Sequence, residues 1–428
     1  MPTSKRTVLK QLGAAGTGLA LAGCLGDESD SADSGSEDEP ITVGASMALT
    51  GALAQEGTWQ ERGYELWAKS INEHGGLIEP NDEPGLLGRE VELVVYDDES
   101  DPQRALDLYQ RLISEDDVDI LMGPYGSSIS GAVLPRLEQE GMVCVMPFAS
   151  GVTVFRERDL DYAFQAVAPG ETYLAGAVDI AVENGAETAA LLYENTAFPV
   201  NVAEGTIEYM EEQGLEVIHD EPYPADIDDY TALMSQIADD DIDVVLGGSF
   251  TPDAIGLTRS AESLDLQPGI FSWMVGGTLP AFEEAVGASV RGMTGDLFFD
   301  PNVDGNYTQE MVELAVEEYD DVEEGWDIQS HLAGGFSAGL LFEKAIKTVG
   351  SLDQDEIAAE LRSIDTRESD FGLPFGNGEY AVDDRGLQIA HRPSLGQWQE
   401  QDDGSMGMET VWPEEIRTAE PIYPHPGW

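Results

Sequence analysis

From position 41 onward, short apolar runs alternate with longer segments of helical period. Residues 41–45 read as a strand, and 58–72 place Trp59, Gly63, Leu66, Trp67 and Ile71 at helical spacing. Residues 91–96 and 118–122 are further strands, 102–114 a helix with proline in its first turn, and 128–140 a helix leading to a strand at 142–146. This succession predicts a parallel sheet with helices on both faces. The pattern then restarts. Helices at 171–184, 200–213, 230–238 and 252–264 alternate with strands at 189–193, 216–219, 244–246 and 270–275. Two runs of similar size, meeting near 166–170, predict an α/β protein of two Rossmann-like lobes joined by a hinge across a cleft.

Beyond residues 292–298, residues 306–319 and 328–349 read as helices. The second carries Leu332, Phe336, Leu340, Leu341 and Ala345 on one face, as a helix through a core does. Residues 371–375 and 381–385 carry strand and turn signals, and the chain through Trp398 is strand-like. The expected division is residues 41–166 plus about 300–375 in lobe 1, 167–299 plus about 376–410 in lobe 2, and a C-terminal tail over 411–428.

In such sheets ligands bind beyond the carboxyl ends of the strands. That gathers the loops 50–57, 123–127 and 147–151, all rich in Gly, Ser, Thr and Ala. Ser127 or Ser128 is a natural N-cap, and free N–H groups at a helix start with a serine hydroxyl form a cradle for a small anion. A capping serine alone is the competing reading.

The ends and the charge add a location. Residues 1–24 have the parts of an export signal: basic Lys5, Arg6 and Lys10, an apolar stretch over 12–22, then small residues before Cys24. Leu21-Ala22-Gly23-Cys24 resembles a lipoprotein box with Cys24 as the lipidated mature N-terminus, and 4–10 resembles a twin-arginine motif with Lys5 in place of the first arginine. An ordinary N-terminal membrane anchor is the alternative, although the apolar stretch is short for one. Residues 25–40 are acidic and polar, the composition of an extended tether. The chain is therefore expected on the outer face of the cell membrane, held by a lipid anchor.

Lys and Arg number 20 against 84 Asp and Glu, a formal net charge of −64. That balance excludes nucleic acid as a partner and points to adaptation to high salt, with a haloarchaeal source as the expectation. The second cysteine, Cys144, sits in an apolar run and reads as a buried small hydrophobe.

Several short stretches fall in a recognisable order: Ile41-Thr-Val-Gly44, Ala54-Gln55-Glu56-Gly57, Gly75-Gly76, Tyr96-Asp97-Asp98, Gly123 with Ser127-Ser128, and Pro147 with Ala149-Ser150. Asp243-Val244-Val245, Gly247-Gly248, Gly292-Met293 and Pro374-Phe375 follow. In this order and spacing the chain resembles the branched-chain amino-acid (Leu/Ile/Val-binding) family of ABC-transporter solute-binding proteins, the type I periplasmic-binding fold. The resemblance implies capture of a small polar solute, with ABC permease subunits as partners and no cofactor. It places the ligand's carboxylate on Ser127 and the backbone around Ser128, with Ala149 and Ser150 from the same lobe and Phe198 and Phe250 closing from the other.

The chain departs from that pattern at the ammonium end. Gly276-Gly277-Thr278, after the strand at 270–275, contains no carboxylate, and Phe198 lacks the usual phenol hydroxyl. A buried ammonium without a partner costs several kcal/mol, and Glu56 is the acid nominated to supply one. A solvated loop carboxylate is the competing reading of Glu56. Branched-chain and other amino acids, short amides, urea-like molecules and non-amino organic acids all stay open as ligands.

An enzyme is not the reading. The five histidines are dispersed without paired ligand spacing, so no metal site is expected, and no phosphate-binding glycine motif occurs. A serine hydrolase built on Ser127 needs a base in the cleft, and Gly126-Ser127-Ser128-Ile129-Ser130 misses the nucleophile-elbow pattern. A ligand sensor without transport is the other alternative.

Overall fold

The computed structural model describes residues 39–78, 84–225, 227, 229–240, 242–248, 250–302, 306–369 and 371–428. The leader, Cys24 and residues 25–38 of the tether lie outside them.

In chain order the first lobe's elements are β1 (Ile41–Met47), α1 (Ala54–His74), β2 (Val91–Asp97), α2 (Pro102–Ser114), β3 (Ile120–Met122), α3 (Ser127–Glu140), β4 (Cys144–Met146), α4 (Thr153–Arg156) and β5 (Ala163–Gln165). The second lobe follows with α5 (Ala175–Glu183), β6 (Thr188–Glu194), α6 (Ala197–Gln213), β7 (Glu216–Tyr223), α7 (Thr231–Ala238), β8 (Val244–Gly248), α8 (Thr251–Ser263), β9 (Ile270–Trp273), α9 (Pro280–Val286) and β10 (Thr294–Leu297). Then come α10 (Thr308–Glu318), α11 (Ser330–Val349), α12 (Gln354–Ser363), β11 (Ser394–Glu400) and β12 (Met406–Trp412).

The strands form two sheets, ordered β2-β1-β3-β4-β5 and β12-β11-β10-β9-β8-β6-β7. The first is parallel throughout. The second is parallel from β7 to β10 and antiparallel where β11 meets β10 and β12. The expected α/β fold with two parallel-sheet lobes is what the chain adopts. Some local expectations give way. Residues 371–375 form no strand, and 381–385 contribute only an isolated bridge between Val382 and Gln388. The helix expected from 58 begins at Ala54, which places Glu56 in a first turn rather than in a loop.

Lobe 1 is completed by α11, which packs its buried face on α1. The contact is close because glycines face each other: a Cβ on Gly63 would meet Leu332 O, and one on Gly335 would meet Gln60 O. From α1, Gln60 Nε2 and Tyr64 Oη both donate to Gly123 O, at 3.0 and 2.7 Å. These bonds fix the loop after β3, where the cleft begins.

Candidate functional site

Loops at the carboxyl ends of β3 and β4 face loops after β6, β8 and β9 across the lobes. Among them lies a narrow cavity walled by Tyr125, Gly126, Phe148, Ser150 and His331 on one side and Tyr173, Phe198, Phe250, Val275, Asp296 and Phe298 on the other. The rings leave about 20 Å3 open to the centre of a water molecule, enough for one water. A larger solute therefore enters only as the walls part.

The wall is mostly aromatic. Phe250 and Phe198 are 5.9 Å apart between centroids, Phe198 and Tyr173 5.5 Å, and Tyr173 and Phe298 4.7 Å. Phe375, behind the wall, stacks on Phe298 at 5.3 Å and meets Phe148 at 5.5 Å, and Phe148 meets Tyr125 at 5.7 Å. The belt thus runs without a break from lobe 2 into lobe 1.

One acid stands in it. Asp296, on β10, is 2% exposed, and burial pushes its carboxyl up to about 7. Its Oδ1 accepts from Val275 N–H at 2.5 Å. Val275 holds φ at 54°, a left-handed conformation costly for a β-branched residue, so the backbone is bent to deliver that donor. No lysine or arginine lines the cavity among the described residues. His331 supplies no charge either, because burial pushes it down to about 3, and its Nε2 lies 3.2 Å from Tyr125 Oη. Ser150 Oγ and Tyr173 Oη are 2.5 Å apart. Among the described residues, the cavity is therefore an aromatic chamber in which Asp296 is the ionisable acid and no lysine or arginine faces it.

Sequence comparison places the chain. The periplasmic binding protein family matches residues 40–404. The chain belongs to that family. A Leu/Ile/Val-binding protein homologue from Brucella abortus is 24% identical over 353 residues, covering 78% of this chain and 84% of the relative. The leucine-, isoleucine-, valine-, threonine- and alanine-binding protein of Pseudomonas aeruginosa is 25% identical over 231 residues, or 53% of this chain and 58% of the relative. Among solved structures, a branched-chain amino acid transporter substrate-binding protein from Streptococcus pneumoniae in complex with isoleucine has a TM-score of 0.72 at 18% identity, covering 88% of this chain and 100% of that one. A Rhodopseudomonas palustris solute-binding protein in complex with 4-hydroxybenzoate has a TM-score of 0.73 at 19% identity, covering 91% and 99%. Both establish the fold.

Within this periplasmic binding protein the residues singled out from sequence fall in several places. Ser150, Phe198 and Phe250 wall the inner cavity. Ser127 and Ser128 line a larger interlobe chamber beyond the Phe198–Phe250 pair, about 560 Å3 measured to water centres, with Glu194, Asp253 and Tyr230 opposite. Ser127 Oγ accepts from Gly151 N–H at 2.9 Å, whereas Ser128 is exposed. Ala149 is buried behind the wall, its carbonyl accepting from Gln165 Nε2 at 2.7 Å.

Glu56 lines neither chamber. It is 1% exposed, its Oε1 accepts from Thr251 Oγ1 at 3.1 Å, and burial raises it above the usual carboxylate range. The acid that does reach the cavity, Asp296, escaped the sequence reading because it belongs to the strand beside β9 rather than to the turn after it. The available signal was an aspartate amid Thr294-Gly-Asp-Leu297, a run buried throughout.

Proposed function

We propose that this periplasmic binding protein is the solute-capturing subunit of an ABC importer, held by a lipid on Cys24 at the outer face of the membrane. Its ligand is an amino acid or a closely related small ammonium compound with an apolar body. The observation that carries the reading is Asp296: a buried carboxyl inside an aromatic chamber with no lysine or arginine among its described lining residues. A carboxylate in low dielectric needs a cation to ionise, and an α-ammonium supplies it. Oδ1 already accepts from Val275 N–H, and Oδ2 is the oxygen proposed to meet the incoming group. The apolar body packs on Phe198, Phe250 and Phe298. The ligand's carboxylate lies toward Ser150 and the backbone at Gly126, the start of α3, where helix N–H groups favour negative charge. Contacts from both lobes stabilise the shut form by a hinge motion.

Benzoate-type and other non-amino acids form the second reading, favoured by the aromatic belt alone. It leaves Asp296 without a counter-charge and brings two carboxyl groups together. Calorimetric titration with valine and with 3-methylbutanoate, the same body without the amine, separates the two. Binding of valine that is lost in Asp296→Asn is the expected result; equal binding of both compounds refutes the ammonium reading.

A further inference from the structure

The inner cavity is lined by many rings and, among its described residues, a single carboxyl. Six aromatic side chains line it: Tyr125, Phe148, Tyr173, Phe198, Phe250 and Phe298. Of its polar groups, Ser150 bonds Tyr173, Tyr125 bonds His331 and Thr278 Oγ1 donates to Asp296 O at 3.1 Å, while His331 Nδ1 is buried without a hydrogen-bond partner among the described residues. Asp296 Oδ1 is taken by Val275 N–H.

A primary ammonium carries three N–H donors, and each one desolvated without an acceptor is costly. An N-methylated ammonium has few or none. It spreads its charge over methyl groups that pack on ring faces, and the electron-rich faces attract it without hydrogen bonds. One carboxylate oxygen then suffices as counter-ion. The belt also draws rings from both lobes, so a methylated head is enclosed when the lobes shut around it.

We propose that the head group this cavity takes is an N-methylated ammonium, seated among Phe198, Phe250, Tyr173 and Phe298 against Asp296. The proposal rests on the reading of Asp296 as the ligand's counter-ion and names the chemical class of that cation.

The purified full chain is titrated by calorimetry with glycine, valine, trimethylglycine and tert-butylacetic acid, the last being the carbon isostere of trimethylglycine without its charge. Trimethylglycine is expected to bind about tenfold or more tighter than the other three, an advantage that Asp296→Asn removes. Glycine or valine binding as well as or better than trimethylglycine overturns the methylated-head proposal and leaves the amino-acid reading standing. Tert-butylacetic acid matching trimethylglycine, or no binding by any of the four, overturns both. As a second variant, Phe198→Leu keeps an apolar side chain and removes one ring; its unliganded melting curve reports folding. Trimethylglycine affinity is expected to fall about tenfold in it, and unchanged affinity overturns the ring's role and the proposal with it.

Discussion

The hydroxyl of Thr251, at the first position of α8, donates to Oε1 of Glu56 on α1 at 3.1 Å, and both residues are buried. This hydrogen bond joins the two lobes directly. Burial holds the Glu56 carboxyl above the usual carboxylate range, while its own backbone and Thr251 pull it back. The bond spans the cleft, so parting the lobes at this point would break it.

Replacing Thr251 with valine keeps the shape and removes the donor. Leaving a buried acceptor without its partner costs about 1 to 3 kcal/mol, charged here to the shut state alone. The expected outcome is a larger open fraction in small-angle scattering and a weaker ligand affinity of matching size. An unaltered scattering profile and affinity would show that the bond does not bias closure.

Asp296 gives the molecule a pH dependence. Its carboxyl stands at about 7 in the folded chain against an ordinary 3.8. Between those values the folded chain holds a proton that the unfolded chain has released. The stability it contributes is complete below about pH 4 and is lost as pH rises through 7, an effect of about 4 kcal/mol. Denaturant unfolding of the unliganded protein is expected to lose stability over that range, and Asp296→Asn to flatten the slope. A cationic ligand has the opposite dependence: it needs the carboxylate, so its affinity rises with pH to about 7 and levels off above. An affinity independent of pH between 5 and 8 would separate Asp296 from ligand binding.

Ser127 carries two duties that one substitution tests together. Its Oγ accepts from Gly151 N–H at 2.9 Å and lines the larger interlobe chamber. In Ser127→Ala the loop after β4, which carries Ser150, loses an anchor, with an expected stability cost of about 1 kcal/mol, and ligand affinity is expected to fall through the displaced Ser150 loop. Melting curves and calorimetry on the same preparation distinguish the two, and unchanged affinity removes Ser127 from the site.

Gly335 tests the helix pair that holds lobe 1. A Cβ there would press on Gln60 O, the residue whose side chain also fixes Gly123. Gly335→Ala is expected to cost about 1 to 3 kcal/mol of stability from overpacking, measured by chemical denaturation. A neutral result would mean that α1 and α11 separate without disturbing the cleft.

Much of this architecture was legible along the chain because strand and helix periods differ. The runs at 41–45, 91–96 and 244–246 lie within β1, β2 and β8, and Asp101-Pro102 marks the start of α2, where Asp101 Oδ1 accepts from Arg104 N–H at 2.7 Å. Three-residue β5 and the four-residue α4 carry too few positions for a period to show.

The order of elements and the two-lobed α/β fold follow from the sequence alone, since they are written in local period and in turn residues, whereas Phe148 and Phe298 join the cavity wall only in the folded chain. Which acid faces the ligand was decided by tertiary structure. Glu56 stands in the expected loop region, yet the helix starting at Ala54 turns it to Thr251. Asp296 lies within a strand rather than in one of the cleft loops read from sequence, and it meets the loop after β9 in space because β10 pairs beside β9 and Val275 N–H binds it there. A carboxyl's burial and its counter-charge depend on what packs around it from other elements, and linear order does not record that.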